Sequence, residues 1–260
     1  MINSTNIREV IEQNQKILPS ILVNVESTIE KGIHFKYKTI ESIRNYLMQK
    51  TEVLLFPSKS LSYGGMVLYR NGSFYININT LQPKTYENFV WAHEYYHFEF
   101  EKDRIKNADD VTFVNNPVLN ENERRANLFA AELLINDDVL KTLFQEIKLN
   151  YVNDSLEKNV IRLIPAFELP YKTMVIKLAQ ENLISMEDAE RIIDHDYRHN
   201  LPQDFDLSIL EPTKAIKIDG LNKLLESESV QENMLESDFE SIQNLANQHF
   251  KQLEAIRMEI

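Results

Sequence analysis

Apolar side chains in the first fifty residues recur three and four positions apart, which is the spacing of a helix with one buried face. Two stretches follow this pattern, residues 4–31 and residues 39–49. Pro19 lies inside the first stretch, and a proline removes one backbone donor and clashes with the preceding turn. We therefore expect two N-terminal helical stretches, with the first one broken at Pro19.

The spacing then changes to the period of two that is typical of strands. Residues 53–56, 66–69 and 74–78 are three short apolar or alternating segments. Between the last two stand Asn71 and Gly72, which tolerate positive φ and therefore suit a tight type I′ hairpin. The alternation over residues 75–79 indicates an edge strand. The pattern predicts a small antiparallel three-stranded sheet.

Helical spacing returns after residue 85 and dominates the rest of the chain. Thr85 is expected to cap a helix over residues 86–101, and Asn120 to cap one over residues 121–135. Further helices are predicted over residues 137–147, 153–164, 171–182 and 185–199, the last opened by a capping box of Ser185 and Asp188. The fold class is therefore α+β and mostly helical, with the small sheet packed on the helix over residues 86–101.

Residues 201–260 differ in character from the rest. They predict a loop over 204–212, a short strand over 215–218, a short helix over 221–226 and a final helix over 238–260. One stripe of that helix is apolar and needs a partner surface, within the chain or on a second subunit of a homodimer: Phe239, Ile242, Ala246, Phe250, Leu253 and Ile256. We predict a main domain over 1–150, a helical, helix-turn-helix-like segment over 151–200 and a C-terminal extension of unknown role over 201–260.

Composition narrows the classes of function. The chain has no cysteine, which excludes disulfides, thiolate metal ligands and cysteine nucleophiles, so any metal must be held by His, Asp or Glu. Its net charge of −12 argues against direct binding to nucleic acid. No apolar run is long enough for a membrane span, and residues 1–10 do not form a signal peptide. We expect a cytoplasmic protein.

His93 and His97 carry the most specific chemistry in the chain. They lie four residues apart on the predicted helix, so both side chains project from one face and can chelate one ion. Glu94 is rotated by about 100° from His93 and can lean over the open coordination position as a general base for the attacking water. The same face is otherwise aromatic, which directs both histidines inward: Phe89, Tyr96 and Phe100.

A catalytic zinc usually has three protein ligands, so a third must come from elsewhere in the chain. Glu123 is the best candidate, and Asn127 four residues later would share its helix face and could hydrogen-bond a ligating histidine. Glu123 could also be only the capping-box partner of Asn120. Glu121 and Glu132 are weaker rivals.

His195 and His199 repeat the four-residue spacing, with Asp196 in the place of glutamate. They fall at the polar C-terminal end of a predicted helix, where the helix dipole favours His and Arg. We interpret them as structural and not as a second metal site.

Two segments together resemble the ImmA/IrrE metallopeptidases. One is Trp91-Ala92-His93-Glu94 with His97, and the other, residues 123–134, has the form Glu-x-x-Ala-Asn-x-Phe-Ala-Ala-x-Leu-Leu. The likeness covers about residues 40–186 and includes the hairpin before the first segment. It implies a gluzincin-like peptidase domain over 1–150, with one Zn²⁺ held by His93, His97 and Glu123 and with Glu94 as the catalytic base.

The chain departs from the family pattern at Tyr95-Tyr96 and at Ile135-Asn136, so its subfamily and its substrate stay open. Members of the family are typically cytoplasmic bacterial or phage proteases that cleave helix-turn-helix repressors of the Cro/CI type. The resemblance implies an endopeptidase that cleaves such a repressor and relieves repression. The strand over 74–78 would pair with an extended segment of the substrate.

Two other classes of function stay open. One is a non-catalytic, metal-binding module that sequesters a regulator, as in a toxin–antitoxin or phage-immunity pair. The other is an independent DNA-binding regulator that uses a helix-turn-helix-like segment near residues 160–185. That segment contains few basic residues, and the whole chain is acidic.

Overall fold

Helices form most of the described chain, which confirms the prediction of a mostly helical α+β fold. The computed structural model describes residues 1–32, 34–60, 62–107, 118–218, 220, 225 and 227–258. The helices are α1 (Ile7–Ile29), α2 (His34–Tyr37), α3 (Thr39–Lys50), α4 (Lys84–Phe100), α5 (Lys102–Lys106), α6 (Glu121–Leu134), α7 (Asp137–Asn150), α8 (Leu156–Ile161), α9 (Ile164–Phe167), α10 (Tyr171–Gln180) and α11 (Met186–Ile192), followed by Glu228–Asn233 and Glu236–Met258. The strands are β1 (Glu52–Phe56), β2 (Gly65–Arg70), β3 (Ser73–Asn79) and β4 (Lys217–Ile218).

The sheet corrects the prediction, since it has four strands and is mixed. Its order is β2-β3-β1-β4. β2 and β3 form the predicted antiparallel hairpin, in which Asn71 and Gly72 have φ values of 50° and 84°. β3 then lies between β2 and β1 and runs parallel to β1. The prediction of an edge strand over 75–79 was therefore wrong, because β3 is paired on both sides and the edges are β2 and β4. Alternation shows which side chains share a face, but not which strands are neighbours.

The helix α1 also corrects the prediction, because it continues through Pro19. An internal proline costs about 3 kcal/mol. Apolar side chains are buried on both sides of it, with Ile7 and Ile11 before the proline and Ile21 and Val25 after it. Each such burial is worth about 1.5–3 kcal/mol, so tertiary packing outweighs the local cost.

The helix α1 also joins the two hydrophobic clusters of the fold. Ile7 and Ile11 pack with α7 to α11, while Ile21 and Val25 pack with the sheet and with α3, α4 and α6. The helical segment after residue 150 is therefore packed on the first helix of the chain. The domain boundaries at 150 and 200 stay predictions.

Several predicted helix ends can be compared with the structure. Asn120 caps α6, because its side-chain oxygen accepts hydrogen bonds from the backbone N–H groups of Asn122 and Glu123. Ser185 caps α11 as predicted. That helix ends at Ile192, however, and the charged segment after residue 101 contains the short helix α5, which the sequence did not predict. The short helix predicted over 221–226 falls mostly outside the described residues.

The C-terminal extension joins the main domain through residues 211–218, which we call the strap. Lys84, the first residue of α4, donates its N–H to the carbonyl of Glu211 at 3.1 Å. The prediction that Thr85 caps this helix was wrong, because Thr85 is buried in the first turn. The Thr80 hydroxyl donates to the carbonyl of Ala215 at 2.8 Å. The strap ends in β4, which pairs antiparallel with β1. The extension therefore completes the sheet and holds the start of α4.

The apolar stripe of the final helix is partly buried within the chain. Ala246 is buried, and four further stripe positions are partly buried: Phe239, Ile242, Phe250 and Leu253. The side chain of Ile256 lies outside the described residues. A homodimer through this helix stays a prediction. No helix in the described part of the chain combines the length and the apolar character that a bilayer crossing requires.

Candidate metal centre

Two helices that pack closely together position the candidate site. His93, Glu94 and His97 lie on α4, and Glu123 lies in the first turn of α6. The face that α6 turns toward the core contains alanines, and Ala126 and Ala130 are fully buried. Small side chains allow two helix backbones to approach, so the carboxylate of Glu123 reaches the two imidazoles.

The three side chains point their ligand atoms at one point. The Nε2 atoms of His93 and His97 are 3.1 Å apart. Glu123 Oε2 lies 3.3 Å from Nε2 of His93, and its Oε1 lies 3.5 Å from Nε2 of His97. Tetrahedral zinc with bonds of about 2.0–2.1 Å places neighbouring ligand atoms about 3.3 Å apart. These distances therefore fit one zinc ion, and this is the one such group in the described residues.

The outer ring nitrogens of both histidines have partners that assign their protons. His97 Nδ1 lies 2.8 Å from Glu101 Oε2, and an ionised carboxylate only accepts, so this nitrogen donates. His93 Nδ1 lies 3.1 Å from Asn127 Oδ1, an amide oxygen that also accepts. In the neutral rings, both Nε2 atoms then present lone pairs to each other and to Glu123. A cluster of acceptors with no donor is suited to a cation.

The charges of Glu123 and His93 stabilise each other although both side chains are largely buried. Burial alone would raise the pKa of Glu123, but the hydrogen bond and positive charge of His93, with His97 and Arg104, lower that pKa to about 2. Burial alone would lower the pKa of His93, but its hydrogen bond to Glu123 and the charges of Glu94 and Glu123 raise it. These shifts describe the protonated imidazole, whose Nε2 donates to the ionised Glu123. A metal ion bound between the neutral rings and Glu123 would take the place of that proton.

Glu94 lies beside the three ligand atoms and is not one of them. Its side chain is only 4% exposed, and burial, together with the negative charge of Glu123, raises its pKa. The carboxylate lies against the edge strand β2, where the backbone N–H of Val67 favours its charged form and partly offsets this rise in pKa. A Cβ atom on Gly65 would lie 2.9 Å from Glu94 Oε1, so only glycine lets the carboxylate pack this closely against the strand. This arrangement suits a general base held at the sheet edge.

Sequence reasoning missed Glu101 and Arg104. Glu101 Oε2 accepts both the Nδ1 proton of His97 and the Nε proton of Arg104, the latter at 3.0 Å. Arg104 Nη2 contacts the same oxygen. The signal was available, because Glu101 follows His97 by four residues and helix spacing places both on one face.

The rival residues are placed elsewhere. Glu132 binds Lys177 at 2.8 Å, and Glu121 is exposed and pairs with Arg125 at 2.9 Å. Neither contributes an atom to the three-ligand group. His199 bonds Asp196 at 2.8 Å in a 3₁₀ turn after α11.

Comparison with known proteins gives one match. A protein-family model, Peptidase_M78, described as the IrrE N-terminal-like domain, matches residues 48–179. The matched region is slightly more than half of the chain and contains the sheet hairpin, α4 and α6. No curated protein and no solved structure matches the chain.

Proposed function

The chain belongs to the Peptidase_M78 family of IrrE N-terminal-like domains, and from this membership and the site we propose that it is a zinc-dependent endopeptidase. One observation carries the proposal. Nε2 of His93, Nε2 of His97 and a carboxylate oxygen of Glu123 all lie within 4.8 Å of one another, and the buried Glu94 stands beside them. This is the donor set of a catalytic zinc with one position left for water or substrate.

In this proposal each side chain has a separate task. Zinc, when bound by the three ligands, supplies a Lewis acid that activates water and polarises the scissile carbonyl. Glu94 accepts a proton from the attacking water and passes it to the leaving amine. The edge strand β2 lies against that carboxylate, and its Val67 N–H favours the charged form. The Asn127 oxygen keeps the proton of His93 on Nδ1, so that Nε2 faces the ligand cluster.

The proposal extends to the substrate, a helix-turn-helix repressor of the Cro/CI type whose cleavage relieves repression in the cytoplasm. The family resemblance supports this substrate. The charge of −12 also supports it, since an acidic enzyme attracts a basic DNA-binding protein. The strand over 74–78 cannot receive the substrate, because β3 is paired on both sides. We assign that role to the edge strand β2, whose Val67 already contacts Glu94.

The test uses purified protein loaded with zinc and a panel of helix-turn-helix repressors of the Cro/CI type. Cleavage is followed by gel electrophoresis, and the cut bond is identified by mass spectrometry. Glu94→Gln is expected to keep its zinc and to lose cleavage, whereas His93→Ala should lose both. Cleavage by Glu94→Gln at the wild-type rate would refute the mechanism. A His93→Ala protein that still binds the repressor and relieves repression would instead show a non-catalytic module.

A further inference from the structure

The junction of α4 and α5 supports one inference beyond the proposed peptidase. We propose that Glu101, assisted by Arg104, is a positioning residue that orients His97 and sets the metal affinity of the site. This inference rests on the proposed function, because it concerns how the three-ligand group holds its ion. It assigns a role to a carboxylate that neither binds the metal nor takes part in proton transfer.

The backbone places Glu101 at a fixed point next to His97. Glu101 is the first residue after α4, and its N–H donates to the carbonyl of His97 at 3.2 Å. Its own carbonyl accepts the N–H of Ile105 at 3.0 Å and so begins α5. Its side chain is 9% exposed and lies 2.8 Å from His97 Nδ1. Backbone and side chain of Glu101 are therefore both bonded to His97.

The two histidines differ in the partner of their outer nitrogen. His97 donates to the carboxylate of Glu101 at 2.8 Å, and His93 donates to the neutral amide of Asn127 at 3.1 Å. A hydrogen bond to an ionised acceptor is about twice as strong as one between neutral groups. A carboxylate in this position fixes the ring, selects the tautomer and makes Nε2 a stronger donor to a metal. We therefore expect Glu101 to contribute more to metal affinity than Asn127.

Arg104 limits the negative charge that this arrangement builds up. Glu94, Glu101 and Glu123 bring three carboxyl groups to a small volume, and Arg104 donates to the oxygen of Glu101 that also holds His97. The Arg104 side chain is 51% exposed, so its interaction is screened by solvent. Its contribution to affinity should therefore be smaller than that of Glu101.

The test measures zinc affinity of the full chain by competition with a chromophoric chelator. Glu101→Ala is expected to weaken zinc binding by about 10- to 100-fold, and Glu101→Gln by less, because an amide oxygen still accepts the Nδ1 proton. Asp103→Asn is the matched control: it removes the same charge from an exposed neighbour, and its affinity should stay within about twofold of wild type. Arg104→Gln should lose less affinity than Glu101→Ala.

Cobalt provides a second measurement that a purely structural role would not change. The visible absorption of the Co²⁺ form reports ligand geometry, and we expect it to shift in Glu101→Gln while the metal-free variant unfolds at the wild-type temperature. If wild type binds no zinc, the proposed function itself fails. If wild type binds zinc and Glu101→Ala binds it equally well, only the positioning role fails. A larger loss of zinc affinity in Arg104→Gln than in Glu101→Ala would also overturn the positioning role of Glu101.

Discussion

The contact between the edge strand and the proposed base makes Gly65→Ala the sharpest perturbation of the site. A Cβ atom at this position would lie 2.7 Å from Val90 Cγ1, 2.9 Å from Glu94 Oε1 and 3.0 Å from the backbone oxygen of Asn77. All three distances are below ordinary van der Waals contact. Because Asn77 O belongs to the paired backbone of β3 and Val90 is buried in the core, the longer side chain of Glu94 is the group with the most freedom to move.

The expected losses of stability and activity follow from the contacts that this movement disrupts. Overpacking costs about 1–3 kcal/mol of stability. The displaced carboxylate would also move away from the backbone N–H of Val67, which favours its charged form. A displacement of about 1 Å at a catalytic group can lower the rate by about a hundredfold. We expect kcat to fall by one to two orders of magnitude, about 10- to 100-fold, while zinc affinity stays near wild type.

Gly64→Ala is the matched control for this prediction. Its Cβ would meet Val90 Cγ2 at 2.9 Å and Tyr86 Cε1 at 3.2 Å, but no atom of Glu94 is among its nearest neighbours. Both variants should therefore lower the melting temperature, and only Gly65→Ala should lower kcat strongly at equal zinc loading. Wild-type kcat in Gly65→Ala would refute the reasoning. An equal loss of kcat in Gly64→Ala would show that strand displacement, and not contact with the base, is responsible.

Three further predictions concern the third metal ligand, the strap and the loss of folding stability at low pH. Glu123→Gln keeps the shape of the side chain but removes its charge, so zinc affinity measured by chelator competition should fall by about tenfold or more. An unchanged affinity would exclude Glu123 as a ligand. Thr213→Val removes the hydroxyl that donates to the buried Glu87 at 2.6 Å, which should cost about 1–3 kcal/mol and lower the melting temperature; no change in thermal unfolding would mean that the strap does not stabilise α4. Burial alone would raise the pKa of Glu99, but its hydrogen bond and ion pair with Lys31 at 2.7 Å lower that pKa. Glu99 therefore stabilises the fold fully above its unfolded pKa of about 4.3. This stabilisation is lost as the pH falls through the lower pKa of the folded state. Glu99→Gln should therefore unfold with a shallower loss of stability below about pH 4.3, and parallel curves for variant and wild type would contradict the assignment.

Local spacing was enough to predict much of the site. Four residues separate His93 from His97 and Glu123 from Asn127, and a helix places such pairs on one face wherever it packs. The hairpin at Asn71 was predictable for a similar reason, since positive φ is a local property of the backbone. The partner of His97 was predictable in principle, because Glu101 stands at the same four-residue interval.

Long-range packing determined the remaining features, and no local pattern contains that information. The order of the strands, which makes β2 and not β3 an edge, depends on which strand of the hairpin pairs with β1. The continuity of α1 through Pro19 depends on apolar side chains that are buried against elements from distant parts of the chain. The strap reaches α4 from more than a hundred residues away.

The sequence by itself therefore determined which side chains can act together at the site, because helical spacing selects a face before any packing occurs. Only the tertiary structure decided that α6 brings Glu123 to within 3.5 Å of both imidazoles, and that the strand β2 packs against Glu94 beside them. These distances arise when small residues such as Ala126 allow two helices to meet, and when a glycine lets the sheet edge approach. Both are properties of buried surfaces that the chain forms only once it has folded.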